Sequence, residues 1–98
     1  MSQFTTRVEL HEADSADYEE LHEEMEKRGF TRTVTSSGGI TYRLPTAEYD
    51  YQGSAGRSEV LRRAKAAAGA VKESYEVLVT KSGGRKWFGL PKVKRAVA

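Results

Sequence analysis

The stretch TTRVELHEAD, residues 5–14, holds the side chains best placed to do chemistry. Arg7, Glu9 and His11 alternate there with a valine and a leucine. Because successive side chains of a strand point to opposite faces, this spacing puts the three polar groups in one row. Cleavage of RNA through its 2′-hydroxyl needs such a set, with His11 or Glu9 as the acid–base group and arginines at the phosphate.

The same row is also typical of a solvated sheet surface. Glu9 could pair with Arg7, or with Arg43 of a later strand, in exposed ion pairs. Each such pair contributes roughly 0.2–1 kcal/mol to stability and needs no function to explain it. The residues alone leave both interpretations open.

A second candidate surface lies near the end of the chain, where basic and aromatic residues adjoin. Arg85 and Lys86 precede Trp87 and Phe88. Such a segment can stack on unpaired bases while it contacts phosphates. Alternatively, the rings cover the core or hold a second copy. The predicted nucleic-acid contacts are Arg7, Arg43, Arg85, Lys86 and Trp87.

The sequence predicts neither a metal site nor a cofactor. There is no cysteine, so thiolate ligands, a cysteine nucleophile and disulfides are excluded. His22 stands four residues before Glu26, a spacing that can hold a metal, but no second histidine is near it. A glycine-rich phosphate loop and a nucleophile elbow are also missing from the sequence.

Length and composition indicate one globular domain. The chain has 98 residues, of which 38% are hydrophobic and 31% are charged. It contains no apolar run of the roughly 18 residues that a membrane span requires, and no signal peptide. We therefore expect a cytoplasmic protein with no membrane association.

The net charge of +2 hides an uneven distribution. Residues 9–26 contain nine acids and no lysine or arginine, whereas residues 57–98 contain eleven bases and three acids. This polarity could steer a polyanion to the basic end, or bring two copies together. It also fits two solvated helices of opposite charge.

The hydrophobic pattern predicts two helices and several strands. Alternation predicts a strand at 3–11, and capping residues followed by a 3.6-residue period predict a helix at 15–28. Around the glycines of SSGG we predict strands at 30–36 and 39–44. PTAEYDYQGSAG, which holds Tyr49 and Tyr51, is predicted to be a long connection. A helix at 57–72 and a strand at 74–81 follow, and RKWFGL is a short fifth strand or an ordered tail. The expected core residues of the helices are Tyr18, Leu21, Met25, Val60, Leu61, Ala64, Ala68 and Val71, and the helical period also admits His22 to the apolar face of the first helix.

This order, β-α-β-β-α-β, is that of a ferredoxin-like fold within a single domain of residues 1–91. We expect an antiparallel sheet with both helices on one face and a basic tail, 92–98, that frays. The row from Arg7 to His11 would then lie on the open face, beside Thr41 and Arg43. A homodimer is expected as well, with the RKWFGL strand pairing with a neighbour's sheet edge.

Three segments resemble, over nearly the whole chain, a small bacterial and prophage family grouped with the GhoS-type antitoxin endoribonucleases of type V toxin–antitoxin systems: TRVELHEADSADYEELHEEMEKRGFTRTV, TYRLPTAEYDY and SYEVLVTKSGGRKWFGLP. The resemblance implies a ferredoxin-like fold similar to that of a small CRISPR-associated nuclease. It also implies cleavage of a toxin's messenger RNA. No catalytic position of the antitoxin carries over to a residue here.

Two functions therefore follow from the sequence. The first is an RNA-cleaving, GhoS-like protein, with Glu9 and His11 as catalytic candidates. The second is a non-catalytic, dimeric adaptor of prophage origin that binds protein through the tyrosine segment and the C-terminal aromatic residues.

Overall fold

The computed structural model describes residues 2–93, which form two helices and six strands. In chain order these are β1 (Ser2–Leu10), α1 (Ser15–Lys27), β2 (Phe30–Thr31), β3 (Thr33–Thr35), β4 (Thr41–Arg43), β5 (Glu48–Gly53), α2 (Arg57–Gly69) and β6 (Tyr75–Lys81). The predicted mixed α+β class is confirmed. Neither helix in this range has the length and apolar character that crossing a bilayer would require.

Four strands form an antiparallel sheet in the order β2-β5-β1-β6, and β3 and β4 form a separate hairpin. β1 lies in the interior of the sheet, paired with β5 on one side and β6 on the other. Its alternation is confirmed: four residues are buried on the helix side, Phe4, Thr6, Val8 and Leu10. Arg7 and Glu9 therefore lie on the opposite face, which we call the open face.

The core joins the buried face of β1 to both helices. Leu21 and Met25 of α1 are fully buried, as are Val60, Ala64, Ala67 and Ala68 of α2. The alanines let α2 approach the sheet closely. Asp14 fixes the start of α1, because its carboxylate accepts from the Asp17 amide while Asp17 accepts from the Asp14 amide.

The prediction that Leu61 of α2 belongs to the core is wrong. Leu61 is 36% exposed, and Ala67 is buried in the stripe that Val60 and Ala64 begin. The helix is rotated so that small side chains face the sheet. Tyr18, also predicted in the core, is half-buried, and its hydroxyl accepts a hydrogen bond from the Leu10 amide at 3.0 Å.

The predicted loop at residues 45–56 is wrong, because this segment contains the central strand β5. Tyr49 and Tyr51 belong to the core, and the strand pairs with β1 from Ser2↔Gly53 to Arg7↔Glu48. The carboxylate of Asp50 stands between the two tyrosines, so the segment has the alternation of a strand. In the structure that carboxylate lies on the other face of the strand, and it is buried too.

The predicted central strand at 39–44 is also wrong. Thr41–Arg43 pairs with Thr33–Thr35 in the separate hairpin and not with β1, and Phe30–Thr31 is the only part of 30–36 that joins the main sheet. β5 takes the place beside β1 because its two tyrosines bury far more apolar surface than the half-exposed residues of β4 can.

RKWFGL is not a strand, contrary to the prediction. Its chain turns at Gly84 and Gly89, whose φ values of 140° and 77° suit glycine, and it folds back over its own sheet. The segment then reaches β4, where Arg43 donates to the Pro91 carbonyl and Val93 donates to the Thr41 carbonyl, both at 2.9 Å. Residues 94–98 of the predicted tail lie outside the described residues.

Two phenylalanines give a matched test of this packing. Phe30 is 1% exposed and packs on the Tyr51 ring with centroids 5.3 Å apart, whereas Phe88 is 99% exposed. We expect Phe30→Ala to lower the free energy of unfolding by about 3–5 kcal/mol, because it removes a buried ring and leaves a cavity. Phe88→Ala should change it by less than about 0.5 kcal/mol. Urea denaturation measures both; similar losses in the two variants would contradict this fold.

Candidate functional site

His11 lies just beyond the end of β1, between two side chains of the neighbouring β6 segment. Its Nδ1 is 2.7 Å from Ser74 Oγ, and its Nε2 is 3.1 Å from Glu76 Oε1. An ionised carboxylate can only accept, so Nε2 carries a proton in this arrangement. Nδ1 of the neutral ring is then free to accept, and the Ser74 hydroxyl donates to it. The three groups form a chain that can pass a proton.

This chain of three groups, the His11 cluster (Ser74, His11 and Glu76), borders a surface concavity. A concavity of about 460 Å³ is lined by His11, Ser74, Glu12, Lys72 and Glu73. The imidazole is 44% exposed, so a ligand can reach it. Lys72 brings a cation to the same place, with its Nζ 3.2 Å from Asp17 Oδ2.

The backbone next to the cluster is strained. Glu12 has a φ of 51°, in the left-handed region that residues with a side chain seldom occupy. This residue turns the chain from β1 towards α1 directly after His11. The turn allows the imidazole to sit at the open end of the sheet while its backbone amide still donates to the Ser74 carbonyl at 3.1 Å.

Arg7 is engaged by two carboxylates. Its guanidinium pairs with Glu9, two residues along the strand, and lies 4.0 Å from Glu48 of β5. A neighbouring concavity of about 290 Å³ is lined by Arg7, Glu9, Glu76, Val77 and Leu78. This lining holds one base and two acids, as does the lining of the first concavity. Of the two ion pairs considered for Glu9, the one with Arg7 is present. Arg43 lies in the hairpin, and the neighbouring strand β5 instead brings Glu48 to Arg7.

Arg85 holds the C-terminal segment to the sheet. Its Nε donates to Thr5 Oγ1 and its Nη2 donates to the Phe4 carbonyl, both at 2.9 Å. Nη2 also lies 2.7 Å from Asp50 Oδ1, an ion pair whose geometry is not that of a hydrogen bond. The side chains are only 18% and 4% exposed. The charge of Arg85 is thus used inside the protein.

The other C-terminal candidates surround a third concavity. About 340 Å³ in volume, it lies between the hairpin and the returning segment, and Lys86, Trp87, Phe88, Thr5 and Glu48 are part of its wall. Trp87 packs edge-on against Tyr42 of β4, with ring centroids 5.4 Å apart. One side of the indole is therefore already occupied.

The structure brings some of the predicted site residues together and separates others. Glu48 links the Arg7 row to the concavity beside Lys86 and Trp87. Arg43 is in β4, opposite Thr33, and does not adjoin β1.

A buried polar pair was missed by the sequence analysis. His22 of α1 and Tyr49 of β5 share a hydrogen bond of 2.6 Å between Nδ1 and Oη. Burial lowers the pKa of His22, and the nearby cations Arg32 and Arg43 lower it further. Burial also raises the pKa of Tyr49. The helical period admitted His22 to the apolar face of α1, but no signal in the sequence pointed to Tyr49 as its partner.

Within residues 2–93 no three histidine, aspartate or glutamate side chains are grouped so as to hold a metal ion. No protein-family model matches the chain. The curated proteins contain no significant match either.

The ion pair between Arg85 and Asp50 predicts that replacing Arg85 strongly lowers the stability of the fold. We expect Arg85→Met to lower the free energy of unfolding by about 3 kcal/mol, since it leaves the Asp50 carboxylate buried without a cation. Lys86→Met, at the exposed neighbouring position, should cost less than about 0.5 kcal/mol. Adding Asp50→Asn to Arg85→Met should restore part of the loss. Equal stability of the two single variants would contradict the anchoring role.

The buried His22 predicts a pH dependence of stability. Its folded pKa lies below the ordinary 6.5, so between the two values the unfolded chain binds more protons. The free energy of unfolding should therefore fall as the pH drops below about 6.5, and this loss should level off below the folded pKa.

His22→Asn keeps an acceptor for Tyr49 and should flatten this slope. The lowered pKa values of Asp17, Glu24 and Glu59 affect stability only in more acidic solution, below their ordinary range near 4. Denaturation curves from pH 5 to pH 7.5 measure the effect. A slope that survives His22→Asn would contradict the assignment.

Proposed function

We propose that this chain is a GhoS-like endoribonuclease in which His11 is the acid–base group. The observation that carries the proposal is the His11 cluster, an accessible imidazole held on both nitrogens beside a cation-bearing concavity. A cytoplasmic antitoxin that cleaves a toxin's messenger RNA is the role that the family resemblance suggests.

The strand arrangement supports a ferredoxin-like interpretation of the fold. If the β3–β4 hairpin is treated as an insertion, the remaining elements follow the order β-α-β-β-α-β. The first and third sheet strands, β1 and β5, are then the two central ones. This assignment bears on fold alone, because one fold hosts many activities.

The chemistry follows from the proton positions in the His11 cluster. A ribose 2′-hydroxyl that displaces Ser74 would give its proton to Nδ1 while its oxygen attacks the adjacent phosphorus. The bond from phosphorus to the 5′-oxygen breaks, and that oxygen takes a proton from the imidazolium or from water. The products are a 2′,3′-cyclic phosphate and a 5′-hydroxyl. Glu76 would stabilise the transient imidazolium by accepting from Nε2.

Few cations near the His11 cluster are available to bind the phosphates of an RNA substrate. Arg7, Arg85 and Lys72 each pair with a carboxylate, and Lys72 is the base that lines the same concavity as His11. We therefore expect weak binding of single-stranded RNA with a shallow dependence on salt, since few counterions are displaced.

A second candidate function is a protein-binding adaptor. Phe88 is 99% exposed at the edge of the third concavity, where Leu44, Pro45 and Leu90 add apolar surface. Exposed aromatic rings beside apolar pockets are typical of protein contacts. This function would need no activity from His11.

Incubating the protein with single-stranded RNA separates the two functions. We expect cleavage in the presence of chelator, because His11 supplies the base itself, and products that end in a cyclic phosphate. His11→Ala should lower the rate at least about 100-fold, the usual contribution of a general base. Its free energy of unfolding should change by less than about 0.5 kcal/mol.

Thr80→Ala is the matched control, because Thr80 is exposed on β6 outside the His11 cluster. This variant should cleave at the parent rate. Parent-like cleavage by His11→Ala would contradict the proposed mechanism. A parent protein that cleaves no RNA, but captures a protein only when Phe88 is intact, would favour the adaptor.

A further inference from the structure

β6 is an edge strand, and no other strand within residues 2–93 pairs with its outer side. It stands at one end of the sheet order, and β1 is its only neighbour among the described strands. At its two ends, the Ser82 amide donates to the Gln3 carbonyl and the Ser74 carbonyl accepts from the His11 amide. Even-numbered residues therefore direct their backbone groups towards β1. Because the direction alternates along a strand, Tyr75, Val77, Val79 and Lys81 direct theirs away from the sheet.

Natural edge strands are commonly protected by short length, proline, bulges or charged side chains, and of these β6 has only two charges, Glu76 and Lys81. It is seven residues long, and it contains no proline and no bulge in its pairing with β1. The opposite edge differs, since β2 has only two residues and is followed at once by the hairpin. A long, regular and unpaired edge is a template for another strand.

The sequence of β6 is complementary to itself in antiparallel register. Its midpoint is Leu78, so a two-fold axis there pairs all seven residues with a second copy. Val77 then faces Val79, Tyr75 faces Lys81, and Glu76 faces Thr80. In this register neither charged residue of the strand, Glu76 or Lys81, lies opposite a residue of the same charge. The four outward residues would exchange about eight backbone hydrogen bonds with the second copy.

Two exposed leucines flank this edge on opposite sides of the sheet. Leu78 is 64% exposed on the open face, and Leu61 is 36% exposed on α2. Arg63 of α2 contacts Tyr51 on the β5 side, and Leu61 lies about 200° around the helix from it, towards β6. Leu78 on the two-fold axis would contact its own copy at a non-hydrogen-bonded pair, where side chains approach closest.

We propose that a second copy of this chain binds along β6, in antiparallel register about Leu78, to form a continuous eight-stranded sheet. The dimer does not use RKWFGL, which is bound to its own sheet. It is independent of the proposed ribonuclease activity, because each copy keeps its own His11 cluster.

Single cysteines test the register, since the protein has no cysteine of its own. Leu78→Cys should form a disulfide-linked dimer on mild oxidation, because the paired Cα atoms lie within about 5 Å. Thr80→Cys alone should not, since its two copies are about 13 Å apart along the strands. Glu76→Cys mixed with Thr80→Cys should cross-link, and neither should do so alone. Equal cross-linking of Leu78→Cys and Thr80→Cys would overturn the proposal.

Light scattering without oxidation provides the second measurement. The measured mass of the unsubstituted protein should rise towards that of two chains as its concentration increases. Leu78→Asp and Leu78→Lys should each stay monomeric, because the axis brings two like charges together, and mixing them should restore the dimer. A parent that remains monomeric at all concentrations, or variants that dimerise as the parent does, would overturn the proposal.

Discussion

Asp50 lies on the central strand β5, on the face away from the helices, and Arg85 is the cation that accompanies it. The carboxylate is 4% exposed, and a buried charge without a partner costs several kcal/mol. The chain must therefore return across the sheet after β6 to bring Arg85 to Thr5, Phe4 and Asp50. Much of the structure follows from this requirement, since the returning segment also contacts the hairpin through Trp87 and Tyr42.

The return divides the open face in two. The half around Thr5 is covered by residues 85–90, and the half around His11 stays accessible. The covered half uses its arginine for stability, whereas the accessible half holds the acid–base groups. Glu48 lies at the boundary and contributes to both, through Arg7 and through the wall of the third concavity. The exposed Leu78 belongs to the accessible half, next to the free edge of β6.

Local patterns allowed part of this structure to be predicted. The alternation from Phe4 to Leu10 fixed β1 and its polar row, and the caps and apolar period fixed α1. For β5 a local signal was present, because Tyr49 and Tyr51 alternate with polar residues as in β1, but the predicted loop passed it over. The burial of Asp50, by contrast, depends on Arg85, 35 residues later in the chain, which no local window includes. Strands were predicted at 30–36 and 39–44, but propensity does not say which sheet a strand joins.

The same limit applies to the candidate site. The sequence placed His11 on the open face, but it could not show that Ser74 and Glu76 hold both ring nitrogens, since they lie more than 60 residues away. The sequence also predicted that Arg85 contacts nucleic acid. An arginine beside aromatic residues gives this pattern whether or not it pairs with a buried carboxylate in the folded protein. A charged residue can be assigned to the binding surface only when the ion pairs that it forms inside the folded protein are known.

A binding footprint would test most directly whether the accessible half is the functional one. An uncleavable RNA, methylated at its 2′-oxygens, would be titrated into the isotope-labelled protein while amide resonances are followed by NMR. We expect the largest shifts at residues 10–13 and 72–76, around the His11 cluster. Shifts confined to Phe88 and the hairpin, or spread evenly over the basic face of α2, would contradict it.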